Sequence, residues 1–449
     1  MGIKISKPDQ RANVAWYKGH FLDWKTFEGH VAQVRENILS LDGRTDNLPS
    51  ISKVLNLCEN RYHFLVVFTA SMLEGRITVM PSNRSEGELA RMIELNKGIQ
   101  QVCDTDIATI CQLDIDENST SINWNINSIP VSMVVAELYT SGSTGIPCAN
   151  PKTWGQLING AQQVYARFGL NKSTPSIIAT VPPQHMFGFE ISIVMPLVCG
   201  AVIHCDQPFY PLDIQRAISA MPSPRVLVTT PIHLKACVTL EKDWSDIDFV
   251  MSATAPMPEN VAHQAEKIMN TQVKEIYGCS EVGAIATRRM IKKTSWELFP
   301  DYILSIENGN TLLQIPTFKN PISLPDKVEI EAGGYFKLVG RTADLIKIGG
   351  KRGSILEIIE RIKAIKGVED AVVFSPNNEN DRVRLTALVV APEMNSKQIR
   401  EILVNEIDPV FLPRPLCVVP ALPYNTIGKL PRANLLESLD KYIKESKSC

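Results

Sequence analysis

Residues 140–145 read Thr-Ser-Gly-Ser-Thr-Gly, which places the hydroxyls of Thr140, Ser141, Ser143 and Thr144 beside Gly142 and Gly145. Glycines let a backbone approach a ligand closely, and their amides with those hydroxyls can surround phosphate oxygens. Lys152 follows as a point charge. No Gly-Lys-Ser/Thr completes the loop, so it is not a Walker phosphate loop. Taken alone, the same residues would also make an ordinary Ser/Gly turn. A second group is Tyr277-Gly278-Cys279-Ser280-Glu281. Here a Tyr can stack on a base, a Ser can bond a phosphate, and Glu281 can ligate Mg²⁺. The bland alternative is a core Tyr and a solvated Glu. A third group comprises Asp326, Gly340-Arg341, Asp344, Lys347, Gly349-Gly350 and Glu357. A fourth is Pro423 to Arg432, in which Gly428 allows a tight turn that presents Lys429. A lysine near a C-terminus is usually no more than solvated.

These groups need elements to hold them. The apolar run Val131–Leu138 reads as a strand leading into the first loop, and Val273–Ile276 as a strand ending in a turn at Tyr277. Ser176–Val181 and Arg225–Thr230 read as strands ended by Pro, and Asp248–Ser252 as another strand with a helix from Pro258-Glu259. Trp154–Gly169 has the signals of a helix ended by Gly. His63–Phe68 fits strand or buried helix, because so short an apolar run does not decide between them. Strand–loop–helix alternation with apolar strands predicts an α/β fold with mostly parallel sheets, and turns at strand ends are where such sheets place ligands. The character changes near Gly340-Arg341. The remaining hundred or so residues carry strands at Ala371–Phe374 and Val383–Val390 and a helix at Ser396–Ile407, which is enough for a small α+β domain. The expected division is 1–341 and 342–449.

Composition limits the function classes. The chain has 449 residues, 44% hydrophobic and 21% charged, as ordinary globular proteins do. Forty-six basic and forty-eight acidic side chains leave a net charge of −2, which argues against a polycationic nucleic-acid binder. The uncharged run Ile191–Cys205 is interrupted by Pro196 and is shorter than the roughly 20 residues of a membrane span. Met1-Gly2-Ile3-Lys4 lacks the apolar core of a signal peptide. Met1 to Ser6 fits the short myristoylation pattern, with nothing else pointing to a membrane. Ten scattered cysteines form no Cys-x-x-Cys pair, so neither zinc nor a redox motif is indicated, and a reducing cytoplasm is the expected location.

Taken together and in this order, the four groups resemble the adenylate-forming superfamily of acyl-CoA synthetases, peptide-synthetase adenylation domains and luciferase-like enzymes. The loop at 140–147 is similar to that family's phosphate loop, and Tyr277 to Glu281 resembles its Tyr-Gly-x-Thr-Glu with Ser280 in place of Thr. Asp326 stands fifteen residues before Arg341, the family's spacing between the ribose-binding Asp and the Arg. Ser252-Ala253-Thr254-Ala255-Pro256 resembles the adenine-side Gly-Gly-Ala-Pro, and His185-Met186-Phe187-Gly188 resembles the segment beside the acid pocket. Gly350 and Glu357 fit the next motif, and Lys429, six residues after Pro423, fits the C-terminal catalytic Lys. A narrower resemblance is to the short ligases of bacterial aryl-polyene and xanthomonadin-type pigment pathways. It is carried by Pro147–Trp154, Pro183–Met186, Val228–Leu234, Phe411–Pro415 and Gly428–Arg432.

The resemblance implies a large AMP- and acid-binding body with a small mobile C-terminal domain. It implies a reaction in which ATP and a carboxylic acid form an acyl or aryl adenylate, whose acyl group then passes to coenzyme A or to a carrier-protein phosphopantetheine. A carboxylate with a pKa of about 4 is already ionised at neutral pH and needs no base. What it needs is positioning and charge cancellation. On this reading Lys429 bridges acid and α-phosphate, while Lys152 and the loop hold the leaving phosphates. Glu281 binds Mg²⁺, Asp326 and Arg341 hold the ribose, Tyr277 and the 253–255 segment flank adenine, Ser280 touches the α-phosphate, Gly278 belongs to the same nucleotide site, and Gly350 lines the thiol tunnel. Cys279 is read as a small filler. His185 to Gly188 lacks the Asp that holds a substrate ammonium group, so an apolar or aryl acid is expected, with Glu190 the lone nearby carboxylate. The family's phosphate-loop Lys follows the loop Pro directly, whereas here Cys-Ala-Asn-Pro intervenes, so a bulge is expected before Lys152. Ala343 stands at the usual Asp or Lys hinge position, and the N-terminal region is short for the family. The alternatives are a fatty or short-chain acyl-CoA synthetase and a non-catalytic nucleotide-binding relative.

Overall fold

A computed structural model describes residues 9–39, 53–112, 126–141, 147–240, 244, 246–341, 345–348, 351–376, 384–425 and 428–447. The chain divides into two compact units. The first comprises Met1–Tyr302 with Ile315–Lys319, and the second Ile303–Gln314 with Asn320–Cys449.

The first unit holds two sheets. In the smaller, the strands run Gln100–Val102, Lys53–Asn56, Ile77–Met80, Val134–Ser141, Pro147–Thr153. All pairings are parallel except the last, an antiparallel pair of the strands before and after residues 142–146. In the larger sheet, Phe249–Ser252 lies between Arg225–Thr229 and Val273–Cys279, and Ser176–Ala179, Val202–His204 and Asn13–Tyr17 continue beyond Arg225–Thr229. All of these pairings are parallel. Antiparallel strands flank them: His20–Asp23 at one end, Gly283–Arg288 and Trp296–Leu298 at the other. The expected α/β class with parallel sheets is what the structure shows.

Strand alternation sets the layers. Ile178, Leu227, Val250 and Val273 point to one face, where they pack against Ile214 and Ile218, Leu234 and Cys237, and Val261 and Ala265 of three covering helices. His63–Phe68 belongs to the helix Arg61–Leu73, not to a strand. Asn60 caps it by accepting from the amides of Tyr62 and His63, and the helix is buried along almost its whole length. That burial explains why no amphipathic period was visible in the sequence.

The second unit contains the meander Ile303–Glu307, Asn310–Gln314, Ile322–Leu324 and the hairpins Asp326–Glu331 with Tyr335–Arg341 and Leu345–Ile348 with Lys351–Ser354. A mixed sheet follows, formed by Asp370–Phe374, Thr386–Val390 and Leu416–Val418. Helices Ile355–Lys363 and Ser396–Leu403 close one apolar cluster on this sheet, and Leu435 and Leu439 of Arg432–Lys447 join another. No described helix is long and apolar enough to cross a membrane.

Candidate active site

Thr140 and Ser141 end the strand Val134–Ser141, in register with Cys148 and Pro147. Thr140 is half-buried, and Asn150 donates to its hydroxyl at 3.4 Å and to the Leu138 carbonyl at 3.2 Å. Gly142, Ser143, Thr144 and Gly145 lie outside the described residues. From Pro147 to Lys152 the pairing is regular, and the irregularity in this hairpin falls at Val134/Ala136. The expected bulge is therefore absent: Lys152 sits within the strand, opposite Ala136. Cys148, Ala149 and Pro151 are exposed, whereas Asn150 and Lys152 turn inward.

Lys152 is 1% exposed, and its Nζ donates to the backbone carbonyl of Glu281. Burial pulls its pKa down to about 8. Glu281 occupies the turn between Val273–Cys279 and Gly283–Arg288, with its side chain exposed. Tyr277, Gly278 and Cys279 thus belong to a strand, and the turn begins at Ser280, later than expected. The ladder shifts register between Tyr277 and Gly278. A side chain at Gly278 would overlap the Gly283 carbonyl, so this position needs glycine for close packing. Tyr277 is buried with its ring 5.6 Å from that of Trp296. Burial pushes the Cys279 thiol up to about 12, which fits an inert filler and not a nucleophile.

Ala253 is buried just past the strand Phe249–Ser252, and Thr254 and Ala255 are half-buried. Thr254 has φ of +81°, a strained conformation for a β-branched residue and one that concentrates at ligand sites. The strain falls where the family motif carries glycine.

His185 caps the short helix Met186–Phe189, its Nδ1 accepting from the Phe187 amide at 3.3 Å. Met186 and Phe187 are buried, and any side chain at Gly188 would overlap the Pro182 carbonyl. Two residues hold this segment: Arg61, which the sequence does not single out, and one whose structural role it does not reveal. Arg61 is fully buried and donates to the carbonyls of Ala179 (3.2 Å), Val181 (2.6 Å) and Asp206 (3.0 Å) and to Ser192 Oγ (2.8 Å). Ser192 in turn donates to the Gly188 carbonyl at 2.6 Å. Arg61 thereby ties together the chain on both sides of His185–Phe189.

The second is Glu190, 3% exposed, at the start of a π-helical stretch, a feature common at functional sites. Its Oε2 accepts from the Ala284 amide at 3.0 Å. Its Oε1 occupies space that a side chain at Gly160 would fill, and a Cβ on Gly283 would lie 2.9 Å from it. Burial pushes its pKa up to about 7, against the opposing pull of the Ala284 amide and of the Lys152 charge. The signal was available in the sequence: Glu190 is the sole Asp, Glu, Lys or Arg between Lys172 and Asp206.

In the second unit, Asp326 and Arg341 are directly opposite each other across the Asp326–Glu331/Tyr335–Arg341 hairpin, and Asp326 is buried. The fifteen-residue spacing is thus a cross-strand pair. Lys429 is exposed on a turn in which its amide donates to Asn425 Oδ1 and its carbonyl accepts from the Asn425 amide, both at 2.8 Å. Gly428, at φ of +74°, provides the left-handed residue that closes this turn. Gly350, Ala343 and Asp344 lie outside the described residues.

The AMP-binding enzyme family matches residues 47–302, more than half of the chain. The chain is 23% identical to a 4-coumarate–CoA ligase of Halorhodospira halophila over 65% of its own length and 73% of that protein. It is 24% identical to a 3,4-dihydroxybenzoate–[aryl-carrier protein] ligase of Bacillus anthracis over 67% of its length and 72% of the relative. Its fold matches that of ATP-bound MatB from Rhodopseudomonas palustris with a TM-score of 0.81 at 16% identity, over 98% of this chain and 97% of that one. The chain belongs to the AMP-binding enzyme family and is an adenylate-forming ligase.

Proposed function

We propose that this enzyme activates an aromatic carboxylic acid as its adenylate and transfers the aryl group to a thiol, of coenzyme A or of a carrier-protein phosphopantetheine. The observation that carries the reading is the Lys152–Glu281 bond, which joins the strand after the phosphate loop to the turn of the Tyr277–Glu281 motif across 129 residues of sequence. Two motifs that are individually ambiguous thus converge at one place in the first unit. The named relatives act on 4-coumarate and 3,4-dihydroxybenzoate, which supports the aryl class. So does the commitment of Glu190 to the Ala284 amide, because the carboxylate that follows His185–Phe189 in sequence is then not offered to a substrate ammonium group. The pigment-pathway ligases remain the narrower kinship proposed from the sequence motifs.

The exposed Glu281 carboxylate fits an oxygen-ligating cation and would hold Mg²⁺, which when bound offsets the charge of the phosphates. The substrate carboxylate attacks the α-phosphate and pyrophosphate leaves. Lys429, from the segment following Arg341 that we assign as the mobile domain, neutralises the charge where the two anions meet. Lys152 and the loop at 140–145 serve the leaving phosphates. Asp326 accepts from the ribose hydroxyls beside Arg341, and Tyr277 packs against adenine with residues 253–255. Ser280 touches the α-phosphate, and Gly278 belongs to the same nucleotide site. Met186, Phe187 and Gly188 line the acid site with His185 as its polar contact, and Gly350 lines the path of the thiol.

Pyrophosphate exchange with 4-hydroxybenzoate, cinnamates, fatty acids, short-chain acids and amino acids tests the acid class. Mass spectrometry after addition of coenzyme A or a carrier protein identifies the acceptor. Turnover of aryl acids is expected, and turnover of amino acids alone would overturn the assignment.

A further inference from the structure

Lys152 and Glu190 grip the same short stretch of chain. The amine bonds to the carbonyl of Glu281, and the carboxylate receives the amide of Ala284 three residues later. Both side chains are almost wholly buried, and each is an electrostatic partner of the other. Gly160 and Gly283 leave the space that the carboxylate fills. Meanwhile the Glu281 side chain, on the turn held between these two bonds, is exposed. A lysine so enclosed, with its amine bonded to a main-chain carbonyl, is placed to fix that turn.

We propose that Lys152 and Glu190 are positioning residues that form one buried clamp on residues 281–284, so that Lys152 serves the phosphate site through the backbone of Glu281 and not by contact with phosphate. The proposal rests on reading Glu281 as the residue that faces Mg²⁺, but the clamp itself is testable without metal or nucleotide.

The test is a double-mutant cycle of Lys152→Met and Glu190→Gln on the full chain. In the apo protein, hydrogen exchange of segment 279–284 and the melting temperature are read. With ATP, the Mg²⁺ concentration for half-maximal pyrophosphate exchange and the split between kcat and KM for ATP are read. Each single variant is expected to deprotect 279–284 and raise the Mg²⁺ requirement, with the loss in kcat and not in KM. Lys152→Met is expected to lose about a hundredfold in kcat, as misplacement of a catalytic group does. The double variant leaves no uncompensated buried charge and is expected to recover about tenfold over Lys152→Met, a coupling of ordinary size for residues bonded to one short segment. Glu190→Gln is nearly isosteric and stands in if Lys152→Met does not fold, and Gly160→Ala, which crowds Oε1, is expected to reproduce its exchange and Mg²⁺ effects. Independent losses, or a raised KM for ATP that Glu190→Gln does not alter, would mean that Lys152 touches the phosphates directly. Unchanged protection of 279–284 in Lys152→Met and Glu190→Gln would remove the clamp whatever the enzyme's substrate proves to be. Absence of exchange activity with intact coupling in the apo protein would instead count against the Mg²⁺ reading alone.

Discussion

The two lysines that the sequence marks for chemistry are held in opposite ways. Lys152 is buried near the end of a strand, bonded to a main-chain carbonyl and within the electrostatic influence of the buried Glu190. Lys429 stands exposed on a turn fixed by Asn425 and by the left-handed Gly428. A buried cation must be compensated where it sits, so it becomes part of the scaffold. An exposed cation loses little solvation until it meets its substrate, so it suits a group delivered for one step. The contrast teaches that residue type and spacing marked both lysines as candidates, whereas burial separates their roles.

The largest expected effect breaks the contrast at its exposed end. Lys429→Ala is expected to lower pyrophosphate exchange by about 10²–10³-fold, the value of one preorganised charge-stabilising group, with the melting temperature almost unchanged. An unchanged exchange rate would sink Lys429 as the delivered charge. Lys152→Met is expected to be costly in both respects. Beyond the loss of rate, it leaves the Glu281 carbonyl without its donor, a loss of about 1–3 kcal/mol read as a lower urea midpoint. A variant as stable as the parent would show that burial has not made this lysine structural.

A pH series sharpens the comparison. The folded pKa of Glu190 is raised from 4.5 to about 7, so the native state holds that proton more tightly than the unfolded chain does. Its contribution is therefore fully present below pH 4.5 and is lost as pH rises toward 7. For Lys152 the folded value is lowered from 10.5 to about 8, so stability recovers between pH 8 and 10.5 as the buried amine sheds its proton. Relative to Glu190→Gln, the parent is expected to lose up to about 3 kcal/mol between pH 4.5 and 7, measured by chemical denaturation. A difference that does not vary with pH would mean that Glu190 is not buried as an acid. The smallest effect is expected at Gly428→Ala. A Cβ in the left-handed region costs about 1 kcal/mol, and a distorted turn is expected to lower exchange several-fold with little change in KM. No change in rate would show that the turn does not aim Lys429.

The legible parts of the molecule were those whose chemistry is local. Pro-terminated strands and the Asp326–Arg341 spacing both survive as geometry, the latter as a cross-strand pair. What stayed hidden depends on three-dimensional neighbours. Whether Lys152 faces inward is set by the register of a hairpin, and the inserted Cys-Ala-Asn-Pro extends a strand where residue count alone points to a bulge. Glu190 looked like a charge near the acid segment, since nothing local reveals that Gly160, Gly283 and the Ala284 amide would enclose it. Tyr277 to Cys279 carry the residues of a strand end and turn but belong to the strand, where Gly278 allows close packing against Gly283. Arg61 opened a segment that resembled either element type, and its role depends on carbonyls contributed from more than a hundred residues away.

Arg61 has a consequence for how such an enzyme could acquire new substrates. Its bonds reach main-chain carbonyls and Ser192, and touch neither Met186 nor Phe187. The backbone course of residues 185–189 is thus secured independently of the Met186 and Phe187 side chains, which we propose meet the acid. Substitutions at Met186 or Phe187 can alter the shape of that site while the chain keeps its path, so selection can explore new acids without rebuilding the fold around each one.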